Sequence, residues 1–142
     1  MDGFFPIGTR RARTLKSAIG CVGVALHSGA RASLMLRPAD AGRGIVFRRT
    51  DLGVEIPARH DQVTDTRLCT AIALPGQPQA RLGTIEHVMA ALAACGIDDA
   101  VIEVDGPEVP ILDGSALGFV QLLDRAGFRR QPTPVRFIEI LQ

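Results

Sequence analysis

Three cysteines in 142 residues, Cys21, Cys69 and Cys95, are widely spaced and form no CxxC pair. Neither a disulfide framework nor a cysteine-rich zinc site is therefore indicated, and a reducing, cytoplasmic setting fits best. Charge of one sign is also lacking: the net charge of +1 gives no general reason to expect nucleic acid or an anionic membrane as partner. Two local groups of arginine, Arg10, Arg11 and Arg13 with Lys16, and Arg43 with Arg48 and Arg49, could still meet phosphates or simply be solvated edges. No apolar run approaches membrane-spanning length, so no transmembrane segment is expected. The apolar residues at the start are too few for a signal peptide and precede the basic ones rather than following them. GxGxxG, a phosphate-cradling lysine loop, HExxH and a GxSxG elbow are all missing, which removes the strongest markers of nucleotide loops and serine hydrolases. There is no repeat of solenoid period and no low-complexity tract.

What is present describes one folded module. The length suits a single domain with its own core, and 46% hydrophobic against 22% charged residues is an ordinary globular balance. Residues 1–13 lack periodicity and read as a loose leader, with the ordered domain over 14–142. Residues 17–26 read as a strand punctuated by glycine, and His27-Ser28-Gly29 as a hairpin tip. Ala32, Leu34 and Leu36 then alternate with Ser33, Met35 and Arg37 at the period of a half-buried strand. Further strands are expected over 44–48, 54–56, 69–74 and 80–82, a nearly continuous apolar and hence central strand over 100–104, and a last one over 135–141. Asp113-Gly114-Ser115 opens a helix whose apolar face is Ala116, Phe119, Val120 and Leu123 and whose stop is Gly127. The order of elements predicts an α+β, two-layer domain: a mostly antiparallel sheet with two helices packed on one face.

The first of those helices carries the chemistry. Thr84 is read as its N-cap, Ile85, Val88, Met89 and Leu92 share one apolar face, and Gly96 sits where a left-handed stop is wanted. Glu86 and His87 lie about 100° apart around it and can flank one small volume. Unpaired N–H groups and the positive dipole end favour an ionised Glu there and disfavour an imidazolium, and neutral imidazole is the form that binds metal. An N-terminal acid beside an ordinary histidine explains the same dipeptide. Cys69 could be a nucleophile with His87 or His60 as partner, or a small buried hydrophobe; His27 could line a cleft or be a solvated loop residue. Asp105 and Asp113 read as a turn former and a helix cap.

Five stretches, taken in order, resemble one family. They are Gly23-Val24-Ala25-Leu26-His27-Ser28-Gly29, Gly44-Ile45-Val46-Phe47-Arg48-Arg49, Asp65-Thr66-Arg67-Leu68-Cys69-Thr70, Thr84-Ile85-Glu86-His87, and Glu108-Val109-Pro110-Ile111-Leu112-Asp113-Gly114-Ser115. From about Thr14 onward the chain is similar to the UDP-3-O-acyl-N-acetylglucosamine deacetylases of bacterial lipid A biosynthesis, and to their N-terminal domain only. The resemblance implies a zinc (Zn2+) hydrolase with two α+β domains and an active site at their interface. By that resemblance His87 is one metal ligand and Glu86 the general base, while Leu68 and Cys69 are active-site wall near the metal and His27 lines the substrate cleft, the three being the substrate-binding residues. The remaining zinc ligands would come from a second domain or a complementing chain, and self-association through the uncovered interdomain face is expected. The alternative is a stand-alone, non-catalytic domain binding a nucleotide sugar, lipid or protein partner, or a fragment of a longer deacetylase.

Overall fold

A computed structural model describes residues 10–135, 138, 140 and 141. In chain order it comprises β1 (Arg11–Leu15), β2 (Ile19–Val24), β3 (Arg31–Pro38), β4 (Ile45–Arg49), β5 (Val54–Pro57), β6 (Val63–Asp65), β7 (Ala71–Leu74), β8 (Gln77–Leu82), α1 (Glu86–Ala94), β9 (Ala100–Val104), α2 (Leu117–Ala126) and β10 (Phe128–Pro134). One turn of 3₁₀ helix, His60–Gln62, precedes β6. The main sheet has the order β2-β3-β9-β4-β5, with β9 central as its apolar sequence requires. Only its β4–β9 pair is parallel, the crossover between them carrying α1. β6-β7-β8 form a small second sheet, and β1 pairs with β10.

Register decides which face is buried. Ile19, Leu36, Ile102, Phe47 and Ile56 lie opposite one another across five strands, and Cys21, Leu34 and Val104 form the next row. These rows meet Val88 and Leu92 of α1 and Phe119 and Leu123 of α2 in one core. The other face of the sheet carries Met35, Glu103, Arg48 and Glu55 in register, where charges of alternating sign pair across strands. Arg37 and Arg48 both bond Glu103 at 2.8 Å, and Arg48 also bonds Glu55 at 2.6 Å. The expected α+β class, mostly antiparallel with two helices, is the one found.

Four local readings need correction. Strand β1 starts at Arg11, inside the expected leader, because its residues pair with β10 rather than with a sequence neighbour; residues 1–9 lie outside the described ones. β6 was hidden in a stretch with no period-two pattern. The last described strand is β10, ahead of the expected 135–141, of which 136, 137 and 139 lie outside the described residues. Thr84 is not an N-cap: it takes φ +58° and α1 is preceded by Ile85 in a helical conformation with no side-chain cap. Gly96 and Gly127 do end their helices at positive φ.

Candidate active site

The hydroxyl of Thr84 serves a carboxylate brought from 24 residues away. Thr84 Oγ1 donates to Glu108 Oε1 at 2.9 Å, and Glu108 is 7% exposed. The same carboxylate accepts the backbone N–H of His27 at 3.1 and 3.3 Å and meets His27 Nδ1 at 2.8 Å. A buried charge is tolerable only when it is hydrogen-bonded, and here three donors meet the carboxylate, all at Oε1, with the His27 N–H shared with Oε2. Burial pushes the Glu108 carboxyl up, but the His27 backbone, the His27 ring and the Thr84 hydroxyl together hold it below the ordinary carboxylate range.

The segment that carries Glu108 straps two parts of the domain together. Gly83 N–H donates to Pro107 at 2.9 Å and Val109 N–H to Gly83 at 3.1 Å, which ties the strap to the end of β8. Ile111 N–H donates to Val24 at 2.9 Å, and Pro110 bridges Ala25, which ties it to the end of β2. The approach is close enough that a Cβ on Gly23 would stand 3.0 Å from Pro110 Cβ. The His27 turn and the start of α1 are thereby fixed at one corner, with Thr84 Oγ1 3.5 Å from His27 Nδ1.

Backbone strain gathers at that corner. Leu68, Thr84 and Leu112 are the non-glycine residues at positive φ among those described, a conformation that costs about 1–3 kcal/mol each. Leu68 precedes Cys69, Thr84 stands two residues before Glu86, and Leu112 precedes Asp113. The Asp113 carboxyl is held low first by the backbone N–H and then by the hydroxyl of Ser115, with a smaller pull from the nearby His87. It shapes the turn ahead of α2, where Ser115 Oγ in turn accepts Leu117 N–H, rather than capping the helix itself.

The residues singled out from sequence converge on the first turn of α1. Glu86 Oε2 accepts Thr70 N–H at 3.0 Å, so the loop bearing Leu68 and Cys69 is docked onto the helix by the carboxylate itself. Ile85 N–H returns a bond to Thr70 O at 3.3 Å. Leu68 is 89% exposed, an apolar side chain presented to whatever covers this face. Cys69 Sγ lies 3.8 Å from Arg81 and, among the described residues, makes no bond to His87 or His60, so the nucleophile reading finds no base. His87 Nδ1 is buried without a partner among the described residues. The arginines read as possible phosphate contacts are largely engaged: Arg10 with Asp98, Arg43 and Arg48 with Glu55, and buried Arg49 with Asp51.

Sequence reasoning missed Glu108 as a site residue and the true part of Thr84. The one available signal was their presence in two of the ordered motifs. As a metal site the described residues fall short: no group of three or more His, Cys, Asp or Glu side chains could hold an ion, and a catalytic zinc wants three protein ligands and an open position. The donor set, the His87 imidazole beside the pinned Glu86 carboxylate, fits no more than one corner of such a site.

Fold and site together define an α+β domain that presents a carboxylate and an imidazole at a helix start. The family described as LpxC: UDP-3-O-acyl N-acetylglycosamine deacetylase matches residues 12–142, and the chain belongs to it. It is 52% identical over 130 residues to the UDP-3-O-acyl-N-acetylglucosamine deacetylase of an Anaeromyxobacter species, covering 92% of this chain and 42% of that protein. The enzymes of the same name from Photobacterium profundum and Vibrio cholerae serotype O1 are 50% and 52% identical over 132 residues, covering 92% of this chain and 43% of each relative. The chain thus spans less than half the length of the curated relatives it matches.

Proposed function

We propose that this chain is the first half of a zinc-dependent deacetylase that hydrolyses the N-acetyl group of UDP-3-O-acyl-N-acetylglucosamine, completed by a second domain or complementing chain. The observation that carries the reading is the Glu86 carboxylate, clamped by Thr70 N–H in the first turn of α1 beside the His87 imidazole, whose Nδ1 is buried and unpartnered among the described residues. The clamp takes Oε2, so Oε1 is the oxygen that accepts a proton from the attacking water. His87 would contribute one metal ligand. What zinc supplies to amide hydrolysis, when three protein ligands hold it, is Lewis acidity toward the carbonyl oxygen and a more acidic water. Leu68 and Cys69 wall the substrate on one side, His27 on another. Leu68 is an exposed apolar side chain beside the Glu86 clamp, of the kind the rest of the enzyme would cover, and uncovered it favours self-association.

The test needs the complete enzyme, made by joining or mixing this chain with the missing half. Glu86→Gln keeps the shape and the Thr70 bond but removes the base, so turnover falls by about 10²–10⁴ while zinc stays. His87→Ala loses zinc and turnover together. Zinc loss in Glu86→Gln, or full occupancy and rate in His87→Ala, would show that the roles are wrongly assigned. A wild-type complement that never deacetylates would leave the non-catalytic binding domain as the better reading.

A further inference from the structure

We propose that Glu108 is the positioning residue for His27: its carboxylate takes the Nδ1 proton as a hydrogen bond, fixes the imidazole in the Nδ1–H tautomer, and leaves Nε2 to meet the substrate. The functional half of this rests on the reading of His27 as a substrate contact; the geometric half does not. The His27 side chain is 41% exposed and that of Glu108 8%, so the imidazole can reach a ligand and the carboxylate cannot. An ionised carboxylate only accepts, so the 2.8 Å contact to Nδ1 requires the proton on the histidine. The backbone N–H of His27 bonds the same carboxylate, which therefore holds both the turn and the ring. The Thr84 hydroxyl bonds the same carboxylate oxygen and links the ring's orientation to the start of α1, where Glu86 and His87 lie. A histidine whose second nitrogen is held by a carboxylate has its free nitrogen aimed and its tautomer chosen.

Imidazole ¹⁵N NMR of this chain at about pH 8, where an ordinary imidazole is neutral, reads the tautomer directly. The expected result is His27 protonated at Nδ1 and bare at Nε2, the opposite of the form that free imidazole side chains favour in water. Glu108→Ala should return the ring to the Nε2–H form, and Glu108→Asp should keep part of the native signature. In the complete enzyme, Glu108→Ala should raise KM about tenfold, the loss of one well-placed hydrogen bond, with kcat little changed. An Nε2–H ring in the wild-type chain overturns the proposal whether or not any variant folds, and so does an Nδ1–H ring that survives Glu108→Ala. A changed tautomer with KM unmoved also overturns the positioning role, since ring orientation would then be irrelevant to binding. Failure of the deacetylase reading itself is seen separately, as a wild-type complement without turnover.

Discussion

Replacing Thr84 separates the two things this residue does. Its hydroxyl fills a lone pair of a buried carboxylate, worth about 1.5–3 kcal/mol for a bond to a charged group. Its backbone, at φ +58°, is a strained conformation for a β-branched residue that glycine would adopt freely. Thr84→Val keeps the strain and loses the bond, so the full cost of about 2 kcal/mol should appear. Thr84→Gly also loses the bond but regains about 1 kcal/mol of strain, leaving a net loss of about 1 kcal/mol. Thr84→Ser keeps the hydroxyl and should stay near the wild type. Urea unfolding of the chain, followed through its midpoint at constant m, gives the order wild type and Ser, then Gly, then Val. A valine variant as stable as the wild type would refute the bond to Glu108, and a glycine variant less stable than valine would refute the strain.

Other consequences can be measured on the same protein. Dialysed chain should retain far less than one equivalent of zinc, because among the described residues a single imidazole is offered; stoichiometric retention would show a site that this geometry does not contain. Arg49→Met should cost about 2–3 kcal/mol, because the guanidinium is 5% exposed and bonds both Asp51 oxygens and the Arg81 carbonyl at 2.6–2.9 Å, while partly exposed Asp51 can be rehydrated. An unchanged urea midpoint would mean that this set of bonds contributes nothing to stability. Burial raises the Glu103 carboxyl, but the bonds from Arg37 and Arg48 bring it below the ordinary range. A depressed folded pKa gives stability that is present above the unfolded value, about 4.3, and lost as pH falls through the lower folded value. Glu103→Gln should therefore be less stable than the wild type at pH 7 and converge with it once the pH is below that lower folded value; a gap that persists in strong acid would mean the loss is one of packing.

The α+β class, the central place of Ala100–Val104, the two helices and their glycine stops were legible because each is written in a local period or a single backbone preference. So was the adjacency of Glu86 and His87, which needs only the pitch of a helix. What tertiary structure alone decided involves partners distant in the chain. Strand β1 looked aperiodic because its order comes from pairing Arg11 with Pro134. Thr84 has the chemistry of an N-cap, yet Glu108 draws its hydroxyl away from the helix, and the backbone turns left-handed to deliver it. Glu108 itself could not be assigned from its neighbours, since the groups that make it a positioning residue lie 24 and 81 residues away. Local periodicity reports which side of an element is apolar; it carries no information on which buried carboxylate will meet which donor, because that depends on loop closure across the whole domain.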